Sequence, residues 1–306
     1  MYVGIDIGGT KCAVVLGDGS GNVINKIRFE TTNKDDTIRK IVEAVETLGD
    51  FKSIGISCGG PLDEKEGVIL SPPNLPGWDN IRIVDMLKDR FHVPVKIMND
   101  ANACAMAEWR FGAGIGSENM IFLTFGTGLG AGIIINGKLY SGANGFAGEV
   151  GHIRLSDNGP AGYGKCGSFE GFCSGSGLRE LGRSLAREYI QRGITPTFIS
   201  NSSLDAFSVA EMANAARSGD ACAIETFDFC GKMLGRGLAI LCDILNPDTV
   251  VIGSVYQRCH DLLSSPAIEW FEREALPSVS AHVKIVPALL GDRIGDVAAL
   301  AVAMST

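Results

Sequence analysis

No basic tract runs through this 306-residue chain, whose 27 lysines and arginines are outnumbered by 35 acidic residues, for a formal charge of −8. Proteins that bind DNA or RNA gain affinity by displacing counterions with clustered basic charge, so nucleic acid is disfavoured as a partner. A basic leader is missing too. The first apolar stretch carries Asp6 inside it and does not read as a signal peptide. No apolar run reaches membrane-spanning length, and the best candidate, Leu238 to Ile252, is broken by Asp243, Asn246, Pro247 and Asp248. Regular cysteine pairing is also absent. The nine cysteines are odd in number, and Cys12, Cys58, Cys104, Cys222, Cys230 and Cys242 fall in apolar periodic segments. That predicts buried free thiols in a reducing cytoplasm, not a disulfide framework.

What is present begins at the N-terminus, where Tyr2-Val3-Gly4-Ile5 runs into Asp6-Ile7-Gly8-Gly9-Thr10-Lys11. Glycines let backbone N–H groups approach phosphate oxygens, Thr10 adds a hydroxyl, and Asp6 suits a magnesium ion held through its water shell. The other reading is a β-hairpin whose Gly8-Gly9 turn needs positive φ. These residues alone leave both open.

The length suits two domains. Strands are predicted over roughly 1–7, 11–17 and 22–31, then a helix with apolar positions Ile38, Ile41, Val42, Ala44, Val45 and Leu48, ended by Gly49. A strand at Ile54–Ser57, a helix at Ile83–Phe91, a strand at Pro94–Met98 and a helix at Ala101–Phe111 follow, an α/β layer pattern. Gly112 to Gly116 reads as a hinge. Beyond it the opening layout returns: an apolar strand from Met120, the turn Gly126-Thr127-Gly128, and a second strand from Leu129. Residues 141–175 read as a shaped loop region. Helices are predicted at roughly 176–192, 207–218 and 219–245, a strand at Asp248–Ile252 closed by Gly253-Ser254, and a last helix from Gly295 to Met304.

Three constellations carry chemistry. The two Gly/Thr turns suit a clamped nucleotide. The second lacks a GK[ST] ending and does not lead into a helix, so it is neither a Walker A loop nor a Rossmann fingerprint. Asn99-Asp100 lies where a strand gives way to a helix. One such residue serves as an N-cap, while the pair at a strand's carboxyl end suits a base, Asp100, beside a hydroxyl ligand, Asn99. Glu149, His152 and Glu170 suit sugar hydroxyls, or a metal site given further ligands; Cys166 and Cys173 are poorly spaced for zinc.

Together these residues resemble the ROK family of sugar kinases and repressors, within the actin/hexokinase ATPase superfamily. The resemblance runs from Gly4 to the last helix. Asp6 to Lys11 is similar to the family's first phosphate motif, and Phe125 to Gly132 to its second. Pro73-Asn74-Leu75-Pro76 with Trp78 resembles its sugar-side loop, Asn99 to Ala103 its catalytic segment, and Gly142 to His152 its Gly-Glu-x-Gly-His stretch. Asn246-Pro247-Asp248 leading to Gly253 resembles the adenosine-side strand, with Ser254 where a second glycine is usual.

The resemblance implies an α/β fold of two actin-like (ribonuclease H-like) domains, with mixed sheets flanked by helices and a cleft between them. The domains would be 1–114 plus 293–306, and 115–292. It implies ATP-dependent phosphorylation of a hexose 6-hydroxyl, with Asp100 as general base and Asn74, Asn99, Glu149, His152 and Glu170 as sugar ligands. Asp6, Gly8, Gly9, Thr10, Lys11, Gly126, Thr127, Gly128 and Gly253 would hold Mg-ATP, and the protein would be a cytoplasmic homodimer. Glucose is the first substrate expected; N-acetylmannosamine, another N-acetylhexosamine, fructose or allose are alternatives, and a catalytically idle sugar sensor is the rival class. With the first strand starting at residue 2, no repressor helix-turn-helix is expected ahead of it. One departure stands out. The family's zinc cysteines align with Ala161, Tyr163 and Ser168, leaving His152 alone of the four ligands, so no zinc is expected.

Overall fold

Strands Tyr2–Ile7 (β1), Lys11–Gly17 (β2) and Val23–Glu30 (β3) open the fold of a computed structural model that describes residues 1–199 and 204–306. β2 is buried almost throughout, whereas the outermost strand β3 is largely exposed, as an edge requires. Between them Asp18 Oδ1 accepts from the N–H groups of Ser20 (2.8 Å) and Asn22 (3.0 Å), which closes the turn. Helix α1 (Lys34–Glu46) starts because Asn33 caps the Asp36 N–H at 3.0 Å, and it buries Ile38, Ile41, Ala44 and Val45.

Strand β4 (Ile54–Cys58) is wholly buried. A small hairpin, β5 (Leu62–Asp63) and β6 (Val68–Ile69), was not foreseen from sequence, because two-residue strands have no readable period. Helix α2 (Ile83–Phe91) precedes β7 (Val95–Asn99), which passes directly into α3 (Asp100–Phe111). Then come β8 (Met120–Leu123), β9 (Ala131–Ile135) and β10 (Lys138–Leu139).

The loop-rich stretch holds a hairpin of β11 (Ala161–Gly162) and β12 (Lys165–Cys166), followed by the single-turn helix α4 (Phe169–Phe172). Helices α5 (Gly175–Gln191), α6 (Val209–Arg217) and α7 (Ala221–Leu245) lead to β13 (Thr249–Ile252) and α8 (Val255–Arg258). Helices α9 (His260–Glu274) and α10 (Pro277–Ser280), strand β14 (Lys284–Pro287) and helix α11 (Ile294–Ala303) complete the chain. Sequence patterns assign nothing between 255 and 293. Pro266 inside α9 breaks the helix signal, and proline ends β14.

Two compact units result: Met1–Phe122 with Gly132–Ala147 and Leu289–Thr306, and Leu123–Ala131 with Gly148–Ala288. In the first, the sheet order is β3-β2-β1-β4-β7. β1, β2 and β3 pair antiparallel, whereas β1–β4 and β4–β7 pair parallel, so the sheet is mixed. Its core includes Val3, Ile5, Ile41, Ile54, Ile56, Trp78, Leu87 and Ile97.

Gly4 and Gly55 are register partners on adjacent strands. A Cβ on Gly4 would lie 2.8 Å from Leu300 N, and one on Gly55 2.1 Å from Ala303 N, so the paired glycines let the alanine-rich α11 lie against the sheet. Ser53 Oγ donates to Ala303 O at 2.6 Å and fastens its end.

In the second unit β13 and β14 pair parallel, and Gly253 N–H donates to Leu123 O at 2.9 Å. Helices α7 and α9 pack closely; a Cβ on Gly235 would stand 2.4 Å from Ala267 O. All nine cysteines are free, and of the six assigned to apolar segments all but the half-buried Cys104 are buried. Among the described residues no helix is long and apolar enough to cross a membrane.

Candidate functional site

Parallel register aligns the carboxyl ends of β1, β4 and β7: Ile7 stands opposite Cys58, and Cys58 opposite Asn99. The Gly8-Gly9 turn, Gly59-Gly60 and Asp100 therefore leave the same sheet edge, with β1 and β7 roughly 10 Å apart at ordinary strand spacing. Ligands of α/β folds gather at such edges.

The first turn is a hairpin, closed by Gly8 N–H to Lys11 O at 3.1 Å and fastened by Thr31 Oγ1 to Gly8 O at 2.6 Å. Neither glycine has a left-handed φ, so the positive-φ reading is corrected. What these positions need is close approach. A Cβ on Gly9 would lie 2.5 Å from Asn74 O and 2.8 Å from Asn74 Cβ. The turn thus packs against the Asn74 loop, whose Leu75 and Trp78 are buried anchors while Asn74 is exposed. Gly9→Ala is expected to lower unfolding free energy by about 1–3 kcal/mol in urea titrations, the usual cost of overpacking; an unchanged midpoint would show that the loop yields freely.

Asn99 is both cap and candidate ligand. Its Oδ1 accepts from Ala101 N–H at 3.0 Å, which directs Asn99 to donate to a ligand through Nδ2. Asp100 Oδ1 shares the same N–H at 2.9 Å. Asp100 reaches solvent, yet surrounding protein strips enough water from its carboxyl to hold its pKa above the usual carboxylate range, against the backbone hydrogen bond from Ala101.

Asp6 is pushed up to about 6 by burial first and then by the neighbouring charges of Asp296 and Asp100, with Lys26 and Lys11 opposing. Lys26 Nζ is paired with the buried Asp296 at 2.5 Å. A carboxylate held at such cost suits a cation that arrives with its ligand. Asp6 with the adjoining turn therefore fits magnesium carried by a polyphosphate.

In the second unit the turn after β8 closes with Thr124 N–H to Gly130 O at 3.0 Å, leaving Thr127 exposed. Gly126 and Gly128 also lack a left-handed φ, while buried Phe125 has φ 33°. Gly126 O accepts the Gly175 N–H at 2.7 Å, so the first turn of α5, capped by Ser174, abuts this loop. Phe125 O accepts the Val255 N–H at 3.0 Å, which brings Gly253-Ser254 alongside. Ser254 has φ 52°, the conformation that explains why a second glycine is usual there.

A Cβ on Gly128 would lie 2.6 Å from Glu170 Oε2, and that oxygen accepts the Leu129 N–H at 2.9 Å. The turn and Glu170 are thereby tied together. Glu149 stands at the N-cap position of the 3₁₀ turn Val150–His152, and a spacing of three on such a turn sets Glu149 and His152 one above the other. Both are exposed.

Two supporting residues have no clear mark in the sequence. Glu64 Oε1 accepts from Asn99 N–H at 3.0 Å and Asn102 Nδ2 at 3.4 Å, holding the strand-to-helix junction. It sits in the charge run Asp63-Glu64-Lys65-Glu66, which looks like solvated surface. Glu108, fully buried in α3, accepts from the N–H groups of Ala113 (2.8 Å) and Leu290 (2.8 Å). A charge on the otherwise apolar face of α3 is its one signal. The residues at the zinc-motif positions do not fit zinc: Ala161 has no donor atom, and the fully buried Ser168 Oγ already caps Gly171 N–H at 3.1 Å.

Comparison with known proteins agrees with this geometry. A glucokinase from Halalkalibacterium halodurans is 33% identical over 307 residues, covering 96% of this chain and 92% of its own length. An N-acetylgalactosamine kinase from a Shewanella species is 30% identical, covering 87% of this chain and 85% of itself. The crystal structure of a ROK family glucokinase from Streptomyces griseus in complex with glucose and AMPPNP superposes with a TM-score of 0.82 at 32% identity, covering 100% of this chain and 99% of that one. The sequence model of the ROK family matches residues 2–305, and this chain belongs to the ROK family.

Proposed function

We propose that the protein is an ATP-dependent sugar kinase that phosphorylates the 6-hydroxyl of a hexose, glucose first. The observation that carries this reading is the sheet edge of the first unit. A carboxyl shaped to accept a proton, Asp100, leaves the same edge as the Asp6 turn, with the Asn74 loop packed on Gly9.

In this reaction Asp100 takes the 6-hydroxyl proton as O6 bonds the γ-phosphorus and ADP departs, and it then releases the proton to water. Asn99 Nδ2 and Asn74 bind neighbouring hydroxyls, as do Glu149, His152 and Glu170. Thr10, Lys11 and Thr127, with the N–H groups of Gly9 and Gly128, take the phosphates on turns that the Gly8 and Gly126 N–H groups close, and Gly253 lies by the adenosine. Magnesium supplies charge neutralisation at the phosphate oxygens, and Asp6 is the residue to hold it. The reading includes a reducing cytoplasm, a homodimer, and no structural zinc.

Likeness to an N-acetylgalactosamine kinase supports a second reading, in which the substrate is an N-acetylhexosamine. A coupled ADP-release assay over glucose, fructose, allose, N-acetylmannosamine and N-acetylgalactosamine separates the two. Glucose is expected to give the highest kcat/KM. An N-acetylhexosamine at least tenfold better would move the assignment to that class, and sugar binding without ADP release would make the protein a sensor.

A further inference from the structure

We propose that the β11–β12 hairpin is a metal-free clamp that orients the sugar-binding face of residues 149–170, with Tyr163 and Lys165 as positioning residues for His152. The inference rests on the reading of His152 and Glu170 as sugar ligands.

His152 sits exposed at the end of a three-residue turn, where an imidazole would swing between rotamers and lose that freedom on binding. Two groups of the hairpin restrain it. Lys165 Nζ donates to His152 O at 2.7 Å, and the Tyr163 ring meets the imidazole edge to face, with centroids 6.4 Å apart at 81°. Tyr163 is 79% exposed at the hairpin tip, and its φ of 46° with the 76° of Gly164 is what the two-residue turn between Gly162 and Lys165 requires. That turn presents the Tyr163 ring to His152.

The other side of the hairpin touches the second ligand. A Cβ on Gly162 would lie 2.6 Å from Gly171 N and 2.8 Å from Glu170 Cβ, so β11 lies directly on the turn of α4 that carries Glu170. The base of the loop is closed by backbone hydrogen bonds and one arginine side chain. Gly167 O accepts from Leu155 (2.8 Å) and Ser156 (3.2 Å), Phe169 N–H donates to Ile153 O (2.7 Å), and Arg154 Nη1 donates to Cys166 O (2.9 Å). One hairpin thus bears on both ligands, on His152 through a hydrogen bond and a ring contact and on Glu170 through close packing. A tetrahedral zinc would need nitrogen or sulfur ligands that Ala161, Tyr163 and Ser168 do not offer.

The test uses the full chain with Tyr163→Ala, Tyr163→Phe and Lys165→Met. The alanine and methionine variants are each expected to raise KM for the sugar about three- to tenfold, the scale of a lost ring pair or hydrogen bond. KM for ATP and kcat at saturating sugar should stay within about twofold. Tyr163→Phe keeps the ring and should behave as wild type. Elemental analysis should find far less than one zinc per chain, and with magnesium in excess a zinc-selective chelator should leave activity unchanged.

The imidazole resonances offer a readout independent of catalysis. The chain has only four histidines, so His152 can be assigned with His152→Gln and followed by NMR. Its ring-current shift should collapse in Tyr163→Ala and persist in Tyr163→Phe. Unchanged sugar KM and His152 shift in both disruptive variants, equal damage from phenylalanine and alanine, or about one chelatable zinc per chain would overturn the clamp. A wild-type protein that phosphorylates no sugar would instead overturn the kinase reading, and the spectrum would then decide the clamp alone.

Discussion

Asp100→Asn is expected to lower kcat by about 10²–10⁴-fold, the contribution of a lost general base, while leaving the protein folded. The substitution removes the group that accepts the 6-hydroxyl proton. It does not remove the helix cap, because Asn99 Oδ1 continues to accept from Ala101 N–H and an asparagine carbonyl can replace Asp100 Oδ1 in the shared bond. Unfolding free energy should therefore move by less than about 1 kcal/mol.

The pH dependence carries the sign. Burial holds the Asp100 pKa above the usual carboxylate range, so wild-type kcat/KM should fall on the acid side as Asp100 binds a proton. That limb should vanish from the residual activity of the variant. Near wild-type turnover in Asp100→Asn, with a normal thermal midpoint, would place the base elsewhere.

Asp6→Asn should have opposite effects on activity and stability. Losing the carboxylate that holds the metal is expected to reduce kcat/KM for ATP on the order of 10²-fold or more. The ligand-free fold should become more stable at pH 7. Asp6 is raised from 3.8 to about 6 by burial and by Asp296 and Asp100, so the folded protein binds this proton more tightly than the unfolded chain does. Ionising it costs stability, beginning near the unfolded value and reaching its full size above the folded one. At 1.36 kcal/mol per pH unit the penalty is at most ~3 kcal/mol at neutral pH.

Wild-type stability relative to Asp6→Asn should therefore rise as pH falls from about 6 toward 4 and level off below. Saturating Mg-ATP should stabilise the wild type and not the variant. Urea titrations at pH 4.5, 6 and 7.5 test both statements. A variant less stable than wild type at pH 7.5 would mean that Asp6 is held by favourable contacts and is not poised for a cation.

Local chemistry writes itself into sequence when a short motif must do one thing. The Asp6 to Lys11 turn, the Asn99-Asp100 junction and the Glu149–His152 stretch are contiguous; the structure has the first two on the predicted kind of element and forms a 3₁₀ turn at Val150–His152 where the sequence predicts a loop. Apolar period marks α1, α2 and α3 within a few residues. It cannot mark the β5–β6 and β11–β12 hairpins, whose strands are two residues long, or α9 with its internal proline.

Charges that act at a distance are illegible for a different reason. Glu64 reads as solvated surface until β5 brings it against Asn99, and Asp296 acts on Asp6 from 290 residues away in the chain.

Composition and contiguous motifs by themselves determined the α/β class, the lack of a basic tract and the candidate base, because each depends on residue type and near-neighbour spacing. Only the tertiary structure decided why the glycines are required. Gly9 and Gly128 serve close approach to Asn74 and Glu170, not a left-handed turn, and such contacts exist only once distant segments have packed. It also decided the state of Asp6 and the hairpin beside His152. Burial, like-charge crowding and ring contact are properties of the folded neighbourhood, and no local stretch of sequence encodes them.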